Sequence, residues 1–287
     1  MALVESENTI EVLRRTGFSF KKSLGQNFLI DPLVLQRIID AACLTEDDCA
    51  LEIGPCIGTM TEALSEAAGR VVAVELDNRL IPILEENLRG RENVTIVHGD
   101  ILKTDLRKLS EEYCDGKPFK AVANLPYSVT TPALLKLLSE DAPITSATLM
   151  VQKEVAERMI AKPGTKAYGA LSLAVQYRAE ISVAANVPRN CFIPRPEVDS
   201  QVVHLQCFSE PPVRTEDSEL MFRLIRASFN ERRKTLVNGL SNGKIGYSKE
   251  EILRAVGALG KGEAVRGETL SLEDFARLAD IFKNREF

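Results

Sequence analysis

From residue 49 to about residue 207, short apolar runs alternate with stretches of helical periodicity. This alternation constrains the fold more than any other feature of the chain. The runs at 50–53, 71–76, 94–98, 121–124, 147–151, 181–186 and 202–207 are mostly rich in β-branched residues. Their length is that of strands buried on both faces. Between the early runs lie amphipathic stretches at 60–68, closed by Gly69, and at 80–88, closed near Gly90. Strand–helix alternation of this kind predicts an α/β fold with a mainly parallel, doubly wound sheet. Residues 209–218, which include Pro211 and Pro212, break the pattern. Beyond them only helices are expected, at 219–240, 248–259 and 271–282; Ser248 with Glu251 and Ser271 with Asp274 read as capping boxes. The expected organisation is a sheet domain over 1–208 and a small all-α domain over 209–287.

Composition narrows the class. The chain has 287 residues, 45% hydrophobic and 27% charged, which excludes disordered, fibrous and low-complexity classes. No apolar run approaches the ~18 residues of a membrane helix, and residues 1–10 carry no basic, apolar or cleavage region. A cytoplasmic protein with no membrane partner is expected, and a monomer. The six cysteines form no C-x-x-C pair and have only His98 and His204 as possible co-ligands, so buried thiols rather than a metal site are expected.

The net charge of −5 argues at first sight against a nucleic-acid partner. It is, however, segregated. Residues 11–28 sum to +3, with Arg14, Arg15, Lys21 and Lys22; residues 221–234 sum to +4, with Arg223, Arg226, Arg232, Arg233 and Lys234. The rest of the chain therefore carries −12. Phe18 and Phe20 interleave the first stretch, Phe222 and Phe229 the second. Local positive potential is all that a phosphate-binding face requires. A solvated helix face with core aromatics is the plain alternative.

The segment Leu51-Glu52-Ile53-Gly54-Pro55-Cys56-Ile57-Gly58 follows one strand and opens a helix. Gly54 and Gly58 permit a tight turn and close backbone approach to a ligand. Glu75 ends the next strand, where a carboxylate can accept both hydroxyl protons of an adenosine ribose. Asp100 ends the third, where it can accept from an adenine amino group. Loop and acids at three successive strand ends point to an adenosine-containing cofactor. Glu52 would repel a pyrophosphate but tolerates ammonium and sulfonium charges, which favours S-adenosylmethionine over a nicotinamide cofactor.

At the end of the fourth strand stands Asn124-Leu125-Pro126-Tyr127. An exocyclic aromatic amine is a poor nucleophile because its lone pair is delocalised into the ring. The Asn124 side-chain oxygen and the Leu125 carbonyl can accept its two protons, favour pyramidal nitrogen and aim the lone pair at a methyl group. Pro126 stiffens the turn and Tyr127 can stack on the base. Such chemistry needs positioning and electrostatics more than a general base.

Four motifs occur in order: Lys22-Ser23-Leu24-Gly25-Gln26-Asn27-Phe28-Leu29, the 52–58 loop, the 124–127 tetrapeptide, and Phe192-Ile193-Pro194-Arg195-Pro196-Glu197-Val198-Asp199-Ser200. With the tail sequence Phe229-Asn230-Glu231-Arg232-Arg233-Lys234-Thr235-Leu236, they make the chain resemble the ribosomal RNA adenine dimethyltransferase family, in particular its small-subunit members. The resemblance implies a Rossmann-like S-adenosylmethionine-dependent methyltransferase domain. It further implies that Asn27 and Leu29 contact S-adenosyl-L-methionine, with Gly54 at its methionine end, Glu75 on the ribose, Asp100 on the adenine and Asn124 beside the transferred methyl. Tyr127 and Phe192 would sandwich a flipped-out base. Family members convert two adjacent adenosines near the 3′ end of small-subunit rRNA to N6,N6-dimethyladenosine, and their helical domain helps dock on the immature small subunit. The alternatives are a large-subunit rRNA adenine methyltransferase of the antibiotic-resistance type, a ribosome-assembly factor acting mainly by binding, and a generic nicotinamide oxidoreductase. One departure stands out: the family's usual Gly-Pro-Gly-x-Gly reads Gly54-Pro55-Cys56-Ile57-Gly58 here. A Cβ at position 56 disfavours positive φ.

Overall fold

The protein is described by a computed structural model over residues 3–4, 6–18 and 25–286. Lys21, Lys22 and Phe20 of the first basic stretch lie outside the described residues. The elements are α1 (Ser6–Thr16), β1 (Phe28–Leu29), α2 (Pro32–Ala42), β2 (Cys49–Ile53), α3 (Thr59–Ala67), β3 (Arg70–Glu75), α4 (Ile81–Asn87), β4 (Val94–His98), α5 (Leu106–Cys114), β5 (Phe119–Asn124), α6 (Thr130–Leu137) and β6 (Ile144–Gln152). There follow α7 (Lys153–Met159), α8 (Ala170–Gln176), β7 (Ala179–Val187), β8 (Phe192–Ile193), β9 (Ser200–Cys207), α9 (Ser218–Asn230), α10 (Leu236–Asn242), α11 (Lys249–Ala258) and α12 (Leu272–Asn284).

All seven expected strands form, in one sheet ordered β4-β3-β2-β5-β6-β9-β7. The pairs β2–β3, β3–β4, β2–β5 and β5–β6 are parallel; β6–β9 is antiparallel. Every residue of β2 is buried, Glu52 included, as befits a central strand covered on both faces. The chain winds outward from β2 through β3 to β4, then returns to the other side of β2 as β5. That reversal opens a crevice beyond the carboxyl ends of the strands, where ligands bind in open α/β sheets. A second, two-stranded pairing has no counterpart in the sequence pattern: β1 runs antiparallel to β8, with Phe28 opposite Ile193 and Leu29 opposite Phe192.

Contacts divide the chain into two compact units, Met1–Ala156 with Glu180–Cys207, and Glu157–Ala179 with Phe208–Phe287. The single boundary expected near 208 misses the fact that 157–179 belongs with the helical tail. Leu173, Tyr177 and the fully buried Tyr168 join the core of that tail alongside Leu224, Phe275 and Phe282. The Tyr168 hydroxyl donates to the Leu270 carbonyl at 2.8 Å. The two pieces are stitched where Phe208 N donates to the Arg178 carbonyl at 2.9 Å.

The single helix expected over 219–240 is two. The backbone leaves helical geometry at Glu231, and Thr235 opens α10 in extended conformation, its hydroxyl accepting from Asn238 N. Leu236, Val237 and Leu240 happen to continue the apolar spacing of α9, which hid the break from periodicity alone. Both expected capping boxes form, on α11 and α12. No helix among the described residues is long and apolar enough to cross a membrane. Of the cysteines expected to be buried, Cys49, Cys114 and Cys191 are, Cys56 and Cys207 are partly exposed, and Cys43 is exposed at the end of α2.

Candidate active site

The carboxyl ends of β2, β3, β4 and β5 enclose a cavity of about 770 Å³, the space at its mouth included. Gly54, Glu75, Asp100, Asn124 and Tyr127 all line it. Glu75 turns its carboxylate between two backbone donors, Asp77 N at 2.8 Å on Oε1 and Cys56 N at 3.2 Å on Oε2. Each oxygen keeps a lone pair for a further donor. Burial pushes the Glu75 carboxyl above the usual carboxylate range. Asp100 accepts from Leu102 N at 3.0 Å through Oδ1, and the Lys103 ammonium stands 3.8 Å from Oδ2.

Gly54 has φ 70°, and a Cβ there would meet no protein atom within 4 Å. The turn thus leaves open space in a cavity that two carboxylates, Glu75 and Asp100, also line. A donor set of this kind suits an adenosine-bearing ligand. Cys56 lines the same cavity with φ 56°, a left-handed conformation that a side chain makes costly. Its N–H is the one that reaches Glu75 Oε2.

Four expected cofactor or base contacts fall elsewhere. Gly58 is not on the cavity wall: with φ 93°, its Cβ would stand 3.3 Å from Leu84 Cδ2 and Leu88 Cγ, so it lets α4 and its flank pack against the loop. Glu52 is fully buried in β2 behind the cavity, with both carboxylate oxygens outside any hydrogen bond. Burial raises its pKa to about 8, although the nearby Thr61 hydroxyl favours the charged form. Glu52 is therefore neutral at pH 7 and presents no charge to a ligand. Leu29 and Phe192 oppose each other across the β1–β8 pair, both in the core beneath α2. Phe192 is 3% exposed, so its ring fills space in the protein rather than facing a base.

Asn124 and Tyr127 are each held from another element. Asn124 Nδ2 donates to the Asn27 carbonyl at 2.8 Å, which leaves Oδ1 as the free acceptor. The Tyr127 hydroxyl shares a 3.0 Å hydrogen bond with Ser200, the last residue of the 192–200 motif. Burial raises its pKa. Sequence reasoning missed Gly25 and Gln26, which line the cavity, and Leu76 and Leu102, which offer it apolar faces that are partly exposed. Aliphatic residues one or two positions after the strand-end acids could have signalled the last two.

In the helical unit, Arg223 and Arg226 lie one turn apart on α9, exposed, and Arg233 and Lys234 are exposed in the break before α10. Arg232 differs from the other four. Its guanidinium binds Glu268 at 2.7 Å, the Lys166 carbonyl at 2.6 Å and the Thr165 carbonyl at 3.1 Å. It closes the helical unit on itself and is not a free phosphate contact. Nor are the aromatics of this stretch free: Phe222 packs edge-on against Tyr177 and Phe229 against Tyr168, with ring centroids 5.2 and 5.9 Å apart.

Comparison with known proteins agrees with this geometry. The family profile described as ribosomal RNA adenine dimethylase matches residues 17–283. A protein of Lachnoclostridium phytofermentans named ribosomal RNA small subunit methyltransferase A is 54% identical over 285 residues, 99% of this chain and 98% of its own length. A protein of the same name from Geobacillus thermodenitrificans is 52% identical, covering 95% and 94%. Among solved structures, a dimethyladenosine transferase from Plasmodium falciparum superposes with a TM-score of 0.77 at 27% identity, covering 90% of this chain and 98% of that one. The 23S rRNA methyltransferase ErmE gives 0.65 at 27% identity, covering 88% and 97%. With its sheet crevice, its two strand-end carboxylates and its Asn-Leu-Pro-Tyr turn in one cavity, the chain belongs to the ribosomal RNA adenine dimethylase family of S-adenosylmethionine-dependent methyltransferases.

Proposed function

We propose that the protein methylates N6 of two adjacent adenosines near the 3′ end of small-subunit rRNA, giving N6,N6-dimethyladenosine during small-subunit maturation. One observation carries the reading: Asn124 and Tyr127 share a cavity with Glu75 and Asp100, and the Asn27 carbonyl leaves Asn124 Oδ1 as an acceptor. S-adenosyl-L-methionine, when bound, supplies a methyl group on a sulfonium that leaves as a neutral thioether. Glu75 would hold the ribose hydroxyls, Asp100 the adenine amino group, and Gly54 and Asn27 the methionine end. The Asn124 oxygen and the Leu125 carbonyl would accept the two N6 protons of the target, so that its lone pair points out of the ring plane. Tyr127, fixed by Ser200, would stack on the flipped base. Phe192 would join that stack only after leaving the core position described above. Arg223, Arg226, Arg233 and Lys234 would hold phosphates, while Lys21 and Lys22 are proposed from sequence alone. The protein would act as a cytoplasmic monomer, and the helical unit would dock on the immature small subunit.

Methyl transfer from labelled donor to undermethylated small subunits, with naked RNA and large subunits as controls, tests the reading. Label recovered as N6,N6-dimethyladenosine from small subunits is the expected result. Label on large subunits alone would favour the large-subunit alternative, against which stands the small-subunit name shared by relatives about half identical to this chain. Normal subunit assembly with Asn124→Ala and no methylation would place binding ahead of catalysis.

A further inference from the structure

Polar contacts outside the reacting groups hold the segment that roofs the cavity. Gln26 Nε2 donates to Asp77 Oδ2 at 3.1 Å. Asp77 is 4% exposed and does not line the cavity. Its carboxylate is gripped by Arg79, through the backbone N–H at 3.3 Å and Nε at 2.8 Å on Oδ1, and through Nη2 on Oδ2. The Arg79 guanidinium in turn stands 4.9 Å over the Phe18 ring, which stacks on Phe28 at 6.0 Å. Asp77 N donates to the same Glu75 carboxylate that faces the cavity. One residue beyond Gln26, the Asn27 carbonyl receives Asn124 Nδ2.

A carbonyl oxygen can only accept, so whichever end of the Asn124 amide faces Asn27 must be the nitrogen. The opposite end is then the oxygen, which is the end that an incoming amine requires. Displacement of the Asn27 carbonyl would free the amide to present its NH2 group to another NH2 group, a pairing with no acceptor. We propose that Asp77 and Arg79 are positioning residues for methyl transfer: by latching Gln26 they fix the Asn27 carbonyl, which sets the end of Asn124 presented to the target amine. The proposal rests on the reading of Asn124 given above. Arg79 also holds the Asp77 carboxyl down to about 2, so the carboxylate stays ionised and the latch closed throughout the neutral range.

The test uses Gln26→Leu, which keeps bulk and removes the donor, Gln26→Glu, which sets two carboxylates against each other, and the exchange Gln26→Glu/Asp77→Asn. In the exchange, the amide introduced at 77 donates to the carboxylate introduced at 26. Each Gln26 single variant should lower kcat on the order of tenfold, the usual consequence of losing a hydrogen bond to a charged group. KM for RNA should move by less than about twofold, and the exchange should recover most of the loss. Amide exchange over residues 25–29 of the free protein should be faster in Gln26→Leu, with Tm within about 3 °C of wild type. An unchanged kcat in Gln26→Leu, or an exchange variant as poor as Gln26→Glu, overturns the proposal. If the wild type transfers no methyl to adenine N6, the functional reading fails instead. The amide-exchange measurement then decides the latch alone, and unchanged protection at 25–29 overturns it.

Discussion

Arg232 offers the sharpest test of how the structure redistributes the basic residues. Arg232→Ala removes an ion pair with Glu268 and two hydrogen bonds to the carbonyls of Thr165 and Lys166. The Arg232 side chain is 37% exposed, which limits the ion pair to about 1 kcal/mol or less. The two carbonyl contacts are charge-assisted but lie near the surface, and contribute roughly 1 kcal/mol each. The sum is about 2–3 kcal/mol, and it falls on the helical unit, because Arg232 and all three partners belong to it. For a cooperative unit of roughly 100 residues this lowers Tm by about 8–12 °C. Calorimetry of Arg232→Ala beside Arg233→Ala should show a depressed transition in the first and none in the second. RNA binding measured against salt should give the converse: the log–log slope falls by about one unit for Arg233→Ala and stays unchanged for Arg232→Ala in folded protein. An Arg232→Ala protein with wild-type Tm and a reduced salt slope would refute the assignment of Arg232 to internal packing.

Gly58→Ala combines a φ of 93° with a Cβ 3.3 Å from two leucines, and should cost about 1–3 kcal/mol, read as a lower urea midpoint; an unchanged midpoint would contradict the packing role. Cys56→Gly relieves a left-handed side-chain residue, and S-adenosylhomocysteine should bind the variant as tightly as wild type or a few-fold tighter by calorimetry. Binding by the variant with none by wild type would mark the natural chain as a non-catalytic relative. For Glu52 the folded pKa is about 8, above its unfolded value of 4.5, so its contribution to stability is fully present below 4.5 and is lost as pH rises through 8. Glu52→Gln should therefore gain in Tm on wild type between about pH 5 and about pH 9, and a parallel pair of pH–Tm curves would show that Glu52 titrates normally.

What the sequence disclosed and what it hid differ by range. Strands announced themselves through β-branched runs, and Glu75, Asp100 and Asn124 through their places at strand ends, because these signals are local. The capping boxes of α11 and α12 are likewise four-residue patterns. Contacts closed over long separations left no such trace. Gln26 meets Asp77 across 51 positions, and Arg232 reaches Glu268 across 36, so in sequence Arg232 looked like any member of its basic run. Phe192 and Leu29 stand in motifs legible in the sequence, yet only the β1–β8 pairing shows that their side chains belong to the core. The aromatics Phe222 and Phe229 followed the plainer of the two readings, as packing residues of a helix whose charged face points outward.

The hydrogen bond from Phe208 to Arg178 makes Glu180–Cys207 an excursion whose ends are pinned together on the helical side. A truncation at residue 208, the natural cut for anyone reading the sequence, would strand α8 and its buried tyrosines on the wrong fragment. A grafted helical unit would instead need both pieces rejoined by a short turn across the gap between 179 and 208. Loop-closure entropy grows only slowly with length, so replacing the excursion by such a turn changes the closure term by only about 1–2 kcal/mol. In this chain the compact helical unit is discontinuous in sequence, and shuffling residues 208–287 as a terminal cassette would leave Glu157–Ala179 behind.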